Sequence, residues 1–316
     1  MFKNKEYILS VLREGSFSKA AERLYISQPS LSASVKRIEE RLGAPIFDRA
    51  TSPVTLTEVG EEYVRQARAI REHENDFERY LNDLTQLRTG SVRIGGSSLF
   101  ASFMLPRMIS DFNRLHPLVR FEIFEDSTKN LMERLRQGRL DLVLDNTKNR
   151  DDEISSLSHS PELLLLAVPK SFEINKRLSH LALTDADIKN GKHLANAPRA
   201  DLSAFRDEPF ILLNPENDTG KRAARLFKKH GITPNVIFSL DQQVTAYNIS
   251  STGMGISFIS DTLVRYTDSA PALFFYVLKD EEIRREVSFY MKRNHYLSLA
   301  CRKFLEDNAQ GYVQNT

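Results

Sequence analysis

The period of the apolar positions changes along the chain, and each change marks a part of it. Over residues 4–58 the spacing is helical. Tyr7, Ile8, Val11 and Leu12 line one face of a first helix, and Gly15 stops it. Ser16 or Ser18 can cap a second, short helix carrying Ala20, Ala21 and Leu24. Tyr25-Ile26-Ser27 reads as a turn. Gln28-Pro29-Ser30 then opens a third helix, with Leu31, Val35, Ile38 and Leu42 on one face. Pro29 suits a first helical turn, where its missing N–H would have no partner anyway, and Gly43 ends the helix. Two short helices about a tight turn, the second opening on small polar residues, form the helix-turn-helix pattern. Residues 45–49 and 54–56, joined by the polar, Pro-marked stretch 50–53, predict a small hairpin or wing.

Residues 58–88 read as one long helix with Thr57 as its cap. Tyr63, Ile70, Phe77 and Leu84 recur every seven residues, and Leu81 and Leu87 widen the stripe. A narrow stripe on a highly charged helix wants a partner helix, so these four residues are the candidates for pairing two chains; packing against the chain's own body is the alternative. Thr89-Gly90 breaks the helix, and the period changes to that of strands at 91–95, 121–124, 140–144, 163–168, 210–213, 236–240, 255–259, 273–278 and 287–290. Helical stretches at 105–115, 131–136, 219–230 and 242–251 lie between them. Alternating strands and helices predict parallel α/β sheets, and the length predicts two lobes with a cleft suited to a small molecule.

Composition narrows the chemistry. The 316 residues, 41% hydrophobic and 27% charged, fit a globular chain of about two domains. A single cysteine, Cys301, allows no internal disulfide and suits a reducing, cytoplasmic setting. The longest pure apolar run, 272–278, is too short for a membrane span, and residues 1–5 lack an apolar leader. No two of the seven histidines lie three to five apart, which argues against a metal site. No catalytic or cofactor motif survives inspection. Gly253-Met254-Gly255 has Phe258 where a dinucleotide fingerprint needs glycine, and Gly220-Lys221 lacks the rest of a P-loop. A formal charge of +2 is too mild to mark a nucleic-acid binder by itself.

The order of motifs is more telling. Residues 15–24 (Gly-Ser-Phe-Ser-Lys-Ala-Ala-Glu-Arg-Leu) lead into Ile26-Ser27-Gln28-Pro29-Ser30-Leu31-Ser32. Ile38-Glu39, Leu42-Gly43, Phe47-Asp48-Arg49 and Leu56-Thr57-Glu58-Val59-Gly60 follow in turn. This series resembles the N-terminal signature of the LysR-type transcriptional regulators. Pro106, Phe112, Pro117, residues 135–142, Asp207-Glu208-Pro209-Phe210 and Gly253-Met254-Gly255-Ile256 resemble, more loosely, that family's effector domain.

The resemblance implies a winged helix-turn-helix at 1–58, a linker and dimerisation helix at 59–89, and an effector-binding domain at 90–316. That domain would be two-lobed and α/β, like periplasmic binding proteins, with lobe I at about 90–161 and 267–308 and lobe II at about 162–266. It implies a homodimer or homotetramer that binds double-stranded promoter DNA and responds to a small effector, without being an enzyme. An enzyme with a DNA-binding head, or a ligand-independent architectural protein, are the competing readings.

For DNA contact the candidates are Gln28, Pro29, Ser30 and Ser32 at the start of the third helix, where a recognition helix meets base edges. Ser27 and Gln28 acting only as caps is the alternative. Ser34, Lys36 and Arg37 are placed for phosphates, as are Ser18 and Lys19 at the second helix. Arg49 matches the family's wing arginine, or else pairs with Asp48 or Glu58. Where the family often carries arginine after the serine at 32, this chain has Ala33. Residues 1–58 hold nine basic and seven acidic side chains, so a single head is weakly charged and paired heads are favoured.

For the effector the candidates are Ser97 and Ser98, in a loop suited to an anion, with helix capping as the alternative. Thr128, Asn146, Thr147, Asn214 and Gln243 follow, each at the end of a predicted strand or the start of a helix. The stretch 173–200 looks longer than usual for the family and reads as a lid, an extra helix at 184–190 or a surface excursion.

Overall fold

The computed structural model describes the chain apart from residues 49, 52, 86–89, 149–150, 196, 268–271, 294 and 311–316, and apart from the side chains of 79 and 82–85. It divides into two compact units, Met1–Leu81 and Asn82–Thr316.

The first unit holds helices α1 (Lys5–Glu14), α2 (Phe17–Arg23) and α3 (Gln28–Leu42), then a hairpin of β1 (Phe47–Asp48) and β2 (Thr55–Leu56). Phe47 pairs with Leu56 and Asp48 with Thr55, as a wing requires. Helix α4 (Glu58–Thr85) begins here. Gly15 and Gly43 end α1 and α3 in the left-handed region, at φ 62° and 75°. Ile8, Val11, Ala21, Leu31, Val35 and Phe47 form the buried centre, which Tyr63, Val64 and Ala67 of α4 complete. A Cβ at Gly60 would lie 2.0 Å from the Ile46 carbonyl oxygen, so only glycine lets α4 start this close to the hairpin.

The second unit continues with β3 (Ser91–Gly96), α5 (Leu105–Leu115), β4 (Arg120–Glu125), α6 (Thr128–Arg136), β5 (Leu142–Asp145) and the sixteen-residue β6 (Ile154–Pro169). A single π-helical turn, Phe100–Met104, precedes α5. Next come α7 (Ile174–Leu178), α8 (Asp185–Lys189), β7 (Arg199–Ala200), β8 (Pro209–Leu213), α9 (Asp218–Lys229), β9 (Asn235–Leu240) and α10 (Gln243–Ser251). The chain closes with β10 (Ile256–Ser260), α11 (Asp261–Tyr266), β11 (Leu273–Leu278), β12 (Arg284–Lys292) and α12 (Leu299–Asn308).

The strands make two α/β lobes that share β6. In lobe I, β3 lies between β4 and β5, parallel to both, and β12 runs antiparallel to β5 and to the first half of β6. In lobe II, β8 is parallel to β9 and β10, and the second half of β6 sits between β10 and β11. Partner exchange falls at one place: Arg284 of β12 pairs with Leu163, and Ser260 of β10 pairs with Leu164.

Two sequence expectations need correction. The expected strand at 163–168 is only the second half of β6; its first half is polar, holds Pro161 and carries a register shift opposite Val287/Ser288, so its alternation is weak. Lobe II does not end near 266. Strand β11 is apolar on both faces and pairs with β6 from Pro169 to Leu165, so the return to lobe I comes only with β12.

The stretch 173–200 contains an extra helix and an edge strand, and it is not a lid. Thr184 and Asp187 form a capping box on α8. Strand β7 pairs with the edge of β11, and Leu183, Ile188, Ala200 and Leu202 enter the lobe core. His193 is buried against Asp261, with Nε2 2.6 Å from Oδ2.

At the partner exchange sits Glu162, fully buried. Its carboxylate accepts from Asn146 Nδ2 (2.6 Å), Thr262 Oγ1 (2.7 Å) and Ser260 Oγ. Arg285, its cross-strand neighbour, lies 2.8 Å away in a charge contact, with its side chain 1% exposed. Removing one partner of a buried ion pair strands the other charge in low dielectric. Glu162→Ala is therefore expected to destabilise the second unit by about 3–5 kcal/mol, read by circular dichroism in urea since the chain has no tryptophan. Arg225→Ala, which breaks an exposed pair with Glu282, should cost about 1 kcal/mol or less. Equal small effects would mean that the buried pair is not a structural centre.

Candidate functional site

The helix-turn-helix is built as its local chemistry dictates. Ser16 caps α2, its side chain accepting from the Lys19 N–H, and Ser27 caps α3, accepting from the Ser30 N–H. Leu31, Ser34, Val35 and Ile38 face inward. This leaves Gln28, Pro29, Ser30, Ala33, Lys36 and Arg37 on the exposed face, with Ser18 and Lys19 exposed on α2. Ser34 is buried and is not among the phosphate-facing residues expected of it. Ser27 does the capping; Gln28 does not. Its Nε2 donates to Ser32 Oγ at 3.0 Å, which steadies the amide and leaves Oε1 and one N–H without a partner among the described residues. Arg37 Nε donates to the Ala33 carbonyl, and Lys36 lies 3.9 Å from Glu40, an exposed pair of little energetic weight. Arg49 lies outside the described residues.

Between the two helices stands Tyr25 at φ 54°, the one non-glycine with positive φ among the described residues. The Tyr25 N–H bonds to the Glu22 carbonyl and the Ile26 N–H to the Ala21 carbonyl. These two bonds form a Schellman termination, in which the left-handed position is normally glycine because a Cβ there costs about 1–2 kcal/mol. The sequence signal was the missing glycine itself: a tight turn with none in it.

The seven-residue stripe of α4 divides. Tyr63 is 4% exposed, stacked on Phe2 at 4.8 Å, and belongs to the core of its own unit, so it is not free for a partner helix as the repeat predicted. Ile70 is half-buried and Phe77 is 61% exposed, with Tyr80 and Leu81 exposed beside it; the Leu84 side chain lies outside the described residues.

In the second unit the candidate effector residues gather on two edges. Parallel strands β3, β4 and β5 end next to one another, which brings Ser97, Ser98, Thr128, Asn146 and Thr147 to one edge of lobe I. Strands β8, β9 and β10 do the same for Asn214 and Gln243 in lobe II. Most of these side chains already have partners. Thr128 Oγ1 donates to Asp145 Oδ2 at 2.8 Å, and the Thr147 N–H donates to Asp145 Oδ1 at 2.9 Å. Asn146 is spent on Glu162. Gln243 bridges Thr219 Oγ1 and the Ser260 N–H, both at 2.8 Å. Asn214 is tied to Asp241 and Ser239. Ser97 and Ser98 differ. They are half-buried, neither side chain caps the following helix, and neither hydroxyl has a hydrogen-bond partner among the described residues.

Sequence reasoning missed the acids and bases beneath this edge, because their partners lie far apart in the chain. Asp145 is buried, and burial pushes its carboxyl up to about 6 against the pull of the Thr128 and Thr147 bonds; the charge of Asp218, from the other lobe, adds to the rise. Arg285 Nη1 donates to Thr219 Oγ1 at 2.9 Å and lies 3.5 Å from Asp218. Arg222 holds Asp218 at 2.7 Å. Burial and the nearby Asp145 charge push the Tyr290 hydroxyl up, and it donates to the Thr147 carbonyl. The run Pro161-Glu162 before four leucines was the legible sign of a buried charge.

Among the described residues no cluster of His, Cys, Asp and Glu could hold a metal ion, and no helix is long and apolar enough to cross a membrane. The family model described as "Bacterial regulatory helix-turn-helix protein, lysR family" matches residues 2–61, and that described as "LysR substrate binding domain" matches 85–307. The uncharacterized HTH-type transcriptional regulator YcgK of Bacillus subtilis is 27% identical over 309 residues, covering 98% of this chain and 94% of that protein. Full-length CbnR complexed with its target DNA has a similar fold, with TM-score 0.62 at 18% identity over 97% of this chain and 98% of that one. Full-length OxyR from Pseudomonas aeruginosa gives 0.66 at 22% identity over 97% and 93%. With a head, a wing and a two-lobed domain in the order those matches require, the chain belongs to the LysR family of bacterial helix-turn-helix transcriptional regulators.

Proposed function

We propose that this regulator reads promoter DNA with the first turn of α3 and is switched by a small anionic effector held between the lobes. On the DNA side, Gln28, Pro29, Ser30 and Ser32 would meet base edges, while Ser18, Lys19, Lys36 and Arg37 would meet phosphates, as would Arg49 of the wing. The exposed Phe77, Tyr80 and Leu81 of α4 would help pair two chains into a dimer or a higher oligomer and so place two heads on one duplex. The regulator works by binding and carries out no reaction of its own, a role suited to the cytoplasm.

The observation that carries the effector reading is the pair of unspent hydroxyls at Ser97 and Ser98. Most candidate side chains around them are committed to one another, so these two hydroxyls are the ones offered to a ligand. Thr128, Asn146, Thr147, Asn214 and Gln243 would shape and stiffen the site. A ligand touching both lobes would favour one of their relative arrangements and shift an existing equilibrium of the oligomer, altering how the heads sit on DNA.

The reading is tested by a thermal-shift screen of small carboxylate and phosphate metabolites, followed by titration of the best ligand. Ser98→Ala should weaken that ligand about tenfold, the loss of one hydrogen bond to a charged group, and leave DNA affinity without ligand unchanged. An unaltered titration would remove Ser98 from the site.

The pH dependence has a definite sign. Above pH 6 Asp145 carries a buried negative charge, which it loses as pH falls through about 6; Glu162, Asp218, Arg222, Arg285 and Tyr290 share its surroundings. A ligand fully ionised across pH 5–8 should therefore bind more tightly at pH 5 than at pH 7.5, by roughly ten- to thirtyfold for charges some 8 Å apart at an effective dielectric of about 20. Asp145→Asn should bind at pH 7.5 about as the native protein does at pH 5, with a flat profile. Parallel profiles for the two proteins would show that Asp145 does not govern the site.

A further inference from the structure

Tyr25 is maintained where local conformation favours glycine, and the chain gives it nothing in return. It closes the Schellman turn of α2 at φ 54° and is 95% exposed. Among the described residues its side chain makes no hydrogen bond, ion pair or ring contact. A strained, solvent-facing aromatic points to a partner outside the chain. Its position says which one. Tyr25 stands two residues before Ser27, the cap of α3, and three before Gln28, at the start of the exposed run 27–30. Three residues span at most about 11 Å, and the major groove is about 12 Å wide. A side chain within that reach of a residue in the groove can meet the phosphates that line it.

We propose that the Tyr25 phenol donates a hydrogen bond to a backbone phosphate of the bound DNA, clamping the α2–α3 turn against the groove wall. The proposal rests on α3 being the recognition helix. The contact is neutral, so it releases no counterion, and being to phosphate it favours no sequence.

The test uses full-length protein, fluorescence anisotropy with a promoter fragment and with random duplex, and a salt series. Tyr25→Gly should raise the melting midpoint of the DNA-binding unit by a few degrees, since strain is relieved. It should also bind both DNAs about tenfold more weakly, with the slope of log K against log salt unchanged. Tyr25→Phe, which keeps the ring and the backbone strain, should lose affinity as Tyr25→Gly does. Gln28→Ala on the same fragments is the control, expected to weaken the promoter fragment about tenfold and to spare random duplex. Native-like binding by Tyr25→Gly or by Tyr25→Phe, with the control weakened, overturns the clamp alone. A loss confined to the promoter fragment overturns the phosphate assignment. If Gln28→Ala also binds normally, the recognition-helix reading fails first.

Discussion

Strand β6 begins in one lobe and ends in the other, and the fold of the second unit depends on what happens where it crosses. There the backbone changes partners, from β12 to β10, and a carboxylate is buried at the change. Glu162 can stay there because partners reach it from both sides: an Asn146 hydrogen bond and the Arg285 charge from lobe I, Ser260 and Thr262 hydroxyls from lobe II. A buried charge with so many partners fixes how the lobes meet more narrowly than apolar packing would. The same residues neighbour the strand ends where the ligand site is proposed, so the structural centre and that proposed site are continuous.

That continuity explains why so few of the cleft's polar groups are free. Arg285 is shared among Glu162, Asp218 and Thr219, and Gln243 ties Thr219 to the start of α11. Polar groups buried this deeply mostly satisfy one another, although Arg285 Nε and Nη2 have no hydrogen-bond partner among the described residues. The two serines after β3 are the hydroxyls we propose for recognition, with Asp145 nearby as a titrating charge.

Much of this was legible in the sequence because it is local. The helix-turn-helix, its serine cap at 27 and helix α5 follow from periodicity and capping within a dozen residues. The first half of β6 was not, because Pro161 and alternating serines weaken the strand signal that only pairing with β12 rescues. Nor was the lobe of β11, since an apolar hexamer does not name its neighbours. The cleft network was hidden for a related reason: Glu162 and Arg285 meet across more than a hundred residues. Tyr63 kept the heptad period of a pairing helix while packing in its own unit, a case where period alone does not tell an inner face from a partner's.

The head concentrates its strain and its exposure in one short stretch, from the left-handed Tyr25 to Ser30, while the rest of α3 is anchored by an apolar face. The weak charge of a single head favours two heads on one duplex, which would double the contacts. The most direct measurement is selection of bound genomic fragments by the full-length protein at two salt concentrations, with footprints of the fragments retained. The account predicts a dyad whose half-sites lie about one helical turn, or a multiple of it, apart. Diffuse protection that fades with salt and shows no dyad would contradict it.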